Sequence, residues 1–528
     1  MNIKIRFFAT MVVAIVFIAC ISSCAKDDEY LGNGNDIFAT EKTGEGDDAI
    51  VLGEKMNDPY NMAFMSEAFQ QLKAEGTELP FDVLEPTGLY VRVLAGSTAE
   101  LDLLEADTNM TWFDFPLDYE IISNGTYYHD PTLPDSATWK YGVIPVGYSL
   151  PSSLKHELLY NVFIPDDHPE YKEYEEAFDR LEEISESLCG YEEENDEKEI
   201  STKASKWNPS ATIMVWDDLK GNIPLQGAKV TVRRCTKYRS KITNANGYCF
   251  FEAKFKKKVN YGITWERAYW DIRCGWSQAY YNGPEQKSAW NLKISKGGKS
   301  IMYATIHRAA LNAYYGYFGN IERPYLLVGK MKIRYIHGNN GLTAGLHWNP
   351  WNVMGMISDI RIWGIDTSGN YRKTYMIYGT VIHELAHQSH QRYMSTIQFW
   401  QVSSFIKESW ARCVQCILTS HHYQNDLGIN YTHLDNVQYW SPQINGENGN
   451  QYTPIFIDLI DERNQNEENP SWCKDNVSGY TLKEIQNNIL GTSYGMHSLR
   501  QTLKANLLHG ATEAQMDELV DNYEGFGF

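Results

Sequence analysis

The chain has 528 residues, 43% of them hydrophobic, enough to build real cores in three or four domains. Its formal net charge is −20, which argues against a nucleic-acid partner and against electrostatic attachment to anionic lipid. Nine cysteines are too few for a disulfide scaffold of this length.

Residues 1–24 read as a targeting segment. Lys4 and Arg6 form a basic head, and Phe7 to Ile21 is apolar except for Thr10. Ile21-Ser22-Ser23-Cys24 resembles a bacterial lipobox, which implies cleavage before Cys24 and lipidation of that residue. The apolar run is short for a bilayer span of about 20 residues, so a plain secretory signal is the nearer alternative. Ala25-Lys26-Asp27-Asp28-Glu29 resembles the signal that sends lipoproteins of Bacteroidetes-type bacteria to the outer face of the outer membrane. That resemblance implies a surface-exposed protein that meets the membrane through its lipid alone. Residues 25–47 are Gly-rich and acidic, as expected of a flexible tether.

Residues 48–190 are expected to form an N-terminal α+β accessory domain. Asn61 to Ala74 has helical periodicity, Gly88 to Leu94 alternates like a strand, Met110 to Phe113 reads as a short aromatic strand, and Glu170 to Leu188 as an acidic helix. Residues 191–206, with the run Glu192 to Glu199, read as a solvated linker.

Residues 207–298 are expected to form a central β-sandwich. Ala211 to Trp216 and Gly227 to Arg233 alternate as strands, and Asn244-Ala245-Asn246-Gly247 is a turn leading to Tyr248. The order Pro224 to Ala228, strand, Thr243 to Tyr248 resembles transthyretin-like carboxypeptidase regulatory domains, which are accessory modules. Trp265, Tyr269, Trp270, Trp276, Tyr280 and Tyr281 suit core packing better than a sugar-stacking surface. Cys235 and Cys249 could bridge neighbouring strands in an oxidising compartment, with the pairing left open.

Residues 299–528 carry the chemistry. A helix over Ile301 to Tyr315 and strands over Lys330 to Ile336 and Asp359 to Trp363 precede two more helices, Thr374 to about Gln391 and Trp400 to Thr419. The first of these contains His383-Glu384-Leu385-Ala386-His387. Four residues of α-helix turn about 400° and rise about 6 Å, so the two imidazoles share a face and can reach one metal ion. Glu384 is placed to act as general base on a water activated by that metal. Cys413 and Cys416, inside the second helix with no second pair, read as core packing.

The His383–His387 stretch resembles the active-site helix of zincin metallopeptidases. Glu408, 21 residues after His387 in Glu408-Ser409-Trp410-Ala411, resembles the glutamate ligand of the gluzincin branch. The resemblance implies Zn²⁺ bound by His383, His387 and Glu408, with Glu384 catalytic and a peptide, protein or glycoprotein as substrate. The alternative for Glu408 is a helical ion pair with Arg412. His390 lies about 10 Å along the axis from His383, too far to share the metal on an unbroken helix. The chain lacks the glycine-containing metzincin extension after His387. It has Ala386 where mucin-directed peptidases have glycine. Tyr452, Tyr480, Tyr494 and His497 are the downstream candidates for an oxyanion donor. The rival reading is a non-catalytic surface adhesin or glycan-binding lipoprotein. The expected architecture is multidomain α+β: an α+β N-terminal domain, a β-sandwich and a zincin-like peptidase domain.

Overall fold

A computed structural model describes residues 49–191 and 206–525, apart from 78, 327–328, 341–344, 349–358, 432–442, 445–450, 468–469 and 471–472. The signal segment, Cys24, the tether and most of the acidic linker lie outside the described residues. The rest is a mixed α+β chain with several sheets. No described helix is long and apolar enough to cross a membrane.

The N-terminal part contains β1 (Val51–Lys55), α1 (Met62–Ala74), β2 (Gly88–Ala95), α2 (Thr98–Leu104), β3 (Tyr119–Ser123), β4 (Thr138–Pro145), β5 (Lys155–Val162) and α3 (Glu175–Leu188). Asn61 caps α1 by accepting from the Ala63 N–H, and Met65, Ala68, Phe69 and Leu72 turn one helical stripe into the core. β2 is the centre of an antiparallel sheet in the order β4-β2-β5. The segment Met110 to Phe113 makes only a bridge from Phe113 to Tyr141 rather than a strand. The acidic helix starts at Glu175, because residues 170–174 close turns instead.

Next come β6 (Ser210–Asp217), β7 (Gly221–Pro224), β8 (Lys229–Arg234), β9 (Lys237–Ile242), β10 (Tyr248–Phe250), β11 (Val259–Thr264), β12 (Trp270–Cys274), β13 (Ser277–Gln278), β14 (Tyr280–Gln286) and β15 (Trp290–Ile294). Two four-stranded sheets form here, β10-β6-β15 with β7 on β6, and β14-β11-β8-β9. Ile213, Val215, Val230, Val232 and Ile263 are buried in one shared apolar cluster. The 244–247 turn needs Gly247, which sits at φ +71°; a Cβ there would meet the Ile213 carbonyl oxygen at 2.3 Å. A Cys235–Cys249 bridge is not formed. Both thiols are buried and free, with Cys235 in the tight β8–β9 connection and Cys249 in the opposite sheet. Trp265, Trp270 and Tyr280 are buried, while Tyr269 is exposed.

The C-terminal part begins with α4 (Lys299–Tyr315), β16 (Met331–Ile336), β17 (Gly345–Trp348), β18 (Asp359–Trp363), α5 (Thr374–Met394), α6 (Thr396–Gln401) and α7 (Ser404–His421). Its five-stranded sheet has the order β13-β12-β16-β18-β17. β12 runs parallel to β16 and β16 to β18, whereas the edge strand β17 is antiparallel. β12 and β13 come from within 207–298, so the boundary expected at 298 does not separate two sheets. Their residues Asp271, Arg273 and Gln278 are buried in the interior of the assembly.

The reason lies in a buried ionic junction. Lys332 Nζ of β16 lies 2.5 Å from Glu105, 3.2 Å from Asp102 and 3.7 Å from Asp271. Arg273 contacts Asp271 at 2.6 Å, and Lys140 of β4 contacts Asp114 at 2.8 Å and Glu105 at 3.4 Å. Burial would raise the Glu105 carboxyl, but Lys332 and Lys140 outweigh it and hold it well below the usual carboxylate range. The N-terminal part is thereby bonded to the five-stranded sheet through charges that water does not screen. Lys332→Met should cost about 3–5 kcal/mol because it strands buried carboxylates. Urea denaturation at neutral pH measures this; a loss below about 1 kcal/mol would mean the junction is dispensable.

Candidate metal centre

α5 enters the core under the direction of Asp218, which follows β6. The Thr374 N–H donates to Asp218 Oδ2 at 2.9 Å, and the Asp218 N–H donates to Thr374 Oγ1 at 2.8 Å. A carboxylate at a helix N-terminus satisfies an orphan N–H and complements the helix dipole. Below this cap, Asp217 Oδ2 accepts from Arg308 of α4 at 2.8 Å and from the Tyr423 hydroxyl at 2.9 Å. α5 is buried on nearly every side from Ile377 to Gln391 and ends at Met394, where Ser395 adopts φ +76°. The single helix expected over Trp400 to Thr419 is two helices, α6 and α7. The chain breaks at Val402–Ser403, where the Ser403 N–H donates to the Tyr494 carbonyl at 2.8 Å.

That break lets α7 lie beside α5 and brings three donors together. His383 Nε2 and His387 Nε2 are 3.2 Å apart. Glu408 Oε2 is 3.2 Å from His383 Nε2, and Glu408 Oε1 is 3.4 Å from His387 Nε2. Tetrahedral coordination with arms of about 2.0–2.1 Å has edges of about 3.3–3.4 Å. Each separation is close to such an edge, although the two imidazoles meet different oxygens of Glu408, so the two nitrogens and the carboxylate are near enough to share one ion. Among the described residues, no fourth His, Cys, Asp or Glu joins this group. The nitrogen–nitrogen–carboxylate set, all of it buried, fits Zn²⁺.

The surroundings prepare these donors. His383 Nδ1 is 3.2 Å from Gln415 Oε1, which also accepts from Arg412 Nη1 at 2.9 Å. With its oxygen committed by the guanidinium, Gln415 requires a proton on Nδ1 and so leaves the Nε2 lone pair facing the centre. Burial opposes ionisation of Glu408, but His387 and His383 hold its carboxyl well below the usual range. Burial also works against a charged His387, yet Glu408 and Glu384 raise its pKa above the ordinary value. Glu384 is 1% exposed and sits against β17: a Cβ built on Gly345 would lie 2.5 Å from Glu384 Oε1. Only glycine leaves that carboxylate its place at the sheet edge.

The remaining sequence candidates fall elsewhere. His390 is fully buried against Phe399, with Nε2 3.0 Å from Met394 Sδ, and takes no part in the cluster. The Tyr480 hydroxyl donates to the Asn506 carbonyl and accepts from the Leu508 N–H. His497 is exposed beside Gln501. Tyr494 is half-buried and touches α7 through the backbone contact at Ser403. The side chain of Tyr452 lies outside the described residues. Gln415 and Gly345 carry no sequence motif. Gln415 does lie seven residues after Glu408, two helical turns on, which places it on the same face.

No protein-family model, no curated protein and no solved structure matches this chain. The geometry alone generates two expectations. Zinc needs a neutral imidazole, so uptake should release protons, and affinity should climb as pH rises through the raised pKa of His387. Calorimetry in buffers of different ionisation enthalpy reads this, and an affinity unchanged from acid to alkaline pH would contradict it. The same shift gives the metal-free fold an ion-pair contribution that is present at low pH for His387 and disappears as pH rises through the raised value. Second, Gln415→Leu should weaken zinc binding about 10–100-fold in a chelator competition without unfolding the chain; unaltered affinity would remove Gln415 from the site.

Proposed function

We propose that this chain is a zinc-dependent peptidase of the zincin type, gluzincin-like in its ligands, acting on extracellular proteins or glycoproteins. The observation that carries the reading is the triangle of His383, His387 and Glu408 donors with Glu384 beside it, under the edge strand β17. When bound, Zn²⁺ would supply Lewis acidity, acidifying a water and polarising a peptide carbonyl. His383, His387 and Glu408 would hold the ion. Glu384, one position along α5 from His383, takes the proton from the attacking water and delivers it to the departing amine. Its seat beneath Gly345 keeps it in place and away from bulk solvent. Among the described residues β17 pairs only with β18, so its other side would offer backbone groups to an extended peptide as an added antiparallel strand, aligning the scissile bond with the donors.

A structural zinc site normally closes all four positions with protein ligands. Three donors with a carboxylate base beside them favour catalysis. The N-terminal part and the two four-stranded sheets, the latter read as the transthyretin-like sandwich, would serve as accessory units. The lipobox at Cys24 would display the whole on the outer membrane surface.

Glu384→Gln separates this reading from the adhesin alternative. The variant should keep one zinc per chain and lose about 10²–10⁴-fold in peptide cleavage. Zinc-loaded wild type that cleaves no member of a broad peptide and glycopeptide library would instead favour a binding protein.

A further inference from the structure

The end of α7 carries a buried imidazole that the metal centre does not use. His422 opens a π-helical turn (His422–Asp426), and the Leu427 N–H donates to the His422 carbonyl at 3.1 Å. Turns of this kind are frequent at functional sites. The His422 ring is enclosed on three sides. The Tyr378 ring of α5 stacks on it at 4.4 Å with the planes 9° apart. From α4, Arg308 Nη2 lies 3.1 Å from Nε2. From the π turn, Asp426 Oδ2 lies 2.7 Å from Nδ1.

These contacts leave the ring one protonation state. A guanidinium only donates, so Nε2 must accept from Arg308; a carboxylate only accepts, so Nδ1 carries the hydrogen. Asn312 Nδ2 is 3.0 Å from Nδ1 and directs its N–H groups to the Tyr378 hydroxyl at 2.7 Å and to Asp426 at 3.5 Å. A second ring proton would sit on Nε2, where it faces the Arg308 guanidinium as donor against donor and cation against cation. Arg308 is not free to swing away. It is 6% exposed, and Asp217 Oδ2, which also accepts from Tyr423, holds its Nη1 at 2.8 Å. Asp426 attracts an imidazolium, but its side chain is 45% exposed and water screens the attraction. His421 turns its ring to Tyr317 at 4.1 Å instead. Burial lowers the pKa of His422 below the ordinary value; Asp426 opposes this and Arg308 reinforces it.

We propose that His422 is an acid-sensitive latch: its neutral ring locks the end of α7 to α4 and α5, and its protonation opens that contact. The latch sits behind the metal centre. Asp217 holds Arg308 while the next residue, Asp218, caps α5, and Glu408 and Gln415 lie on the helix whose end His422 secures. Opening therefore slackens both helices that bring the three donors together, without touching a donor. The open state takes up a proton at an ordinary imidazole pKa of about 6.5, and the closed state does not. The latch is fully closed above that pH and is lost as pH falls through it toward the lowered value. It requires neither zinc nor peptidase activity.

Hydrogen exchange of the full chain, followed by mass spectrometry from about pH 7.5 to about pH 5.5 and corrected for intrinsic exchange rates, reads this opening. Across residues 415–427 the opening equilibrium should rise about tenfold for each pH unit below about 6.5, the response of one proton. It should do so with excess zinc and with a zinc chelator alike. His422→Gln, which cannot titrate in this range, should abolish the pH dependence, while β8 exchanges equally in both proteins. If His422→Gln does not fold, His422→Phe, which keeps a ring on Tyr378, takes its place with the same expectation. Wild-type exchange in 415–427 that ignores pH overturns the proposal, and so does an equal pH response in the variant. A response confined to the zinc-depleted chain would trace to the metal ligands and overturn it as well.

Discussion

Everything chemical in this chain depends on one contact between two helices: the Glu408 carboxylate of α7 meeting the Nε2 atoms of His383 and His387 on α5. Helix periodicity accounts for the two imidazoles without any help from the fold, since a spacing of four aligns them. The third donor is different. Its position depends on α7 lying beside α5, and hence on the interruption at Val402–Ser403 that frees α7 from α6. Burying one carboxylate and two imidazoles in a low-dielectric site is costly unless their charges are matched. Here they match one another in the metal-free fold, and they would match an ion when it binds. The ion pair of the free protein is therefore the one that a bound metal ion would replace, with loss of a proton.

The rest of the molecule is arranged so that these helices cannot drift. Asp218 caps the start of α5 from the end of β6, and Asp217 next to it anchors Arg308 of α4 and Tyr423 beyond α7. Tyr378 of α5 stacks on His422 at a centroid distance of 4.4 Å, and His422 bonds Asp426 at 2.7 Å. On the other side, the five-stranded sheet carries β17 over Glu384 and is itself bonded to the N-terminal part through Lys332, Glu105 and Asp271. Parts that would be accessory by sequence thus share charges and hydrogen bonds with the framework of the candidate metal centre. Removing one of them would leave buried ions unmatched.

Local patterns were legible in the sequence, and partners distant along the chain were not. The His-Glu-x-x-His spacing, the helical stripe of α1, the strand alternation of β8 and the Asn244–Gly247 turn all follow from periods of a few residues. Glu408 was within reach because it lies only 21 residues after His387. Gln415 was not, because a glutamine acquires its role only when Arg412 orients it and His383 faces it. Asp218 belongs to no local motif; its partner, the Thr374 N–H, lies 156 positions later. β12 falls within the segment expected to form the sandwich, and nothing local to Trp270–Cys274 announces β16 as its neighbour. Cys235 and Cys249 are near in sequence, yet one sits at the β8–β9 connection of one sheet and the other on β10 of another.

The most direct measurement is X-ray absorption at the zinc edge on the full chain loaded with one equivalent of Zn²⁺. The account expects nitrogen and oxygen neighbours only, at about 2.0–2.2 Å, with the outer-shell signature of two imidazoles, and expects one neighbour to be lost in Glu408→Ala. A sulfur neighbour near 2.3 Å, or a spectrum that Glu408→Ala leaves unchanged, would contradict it.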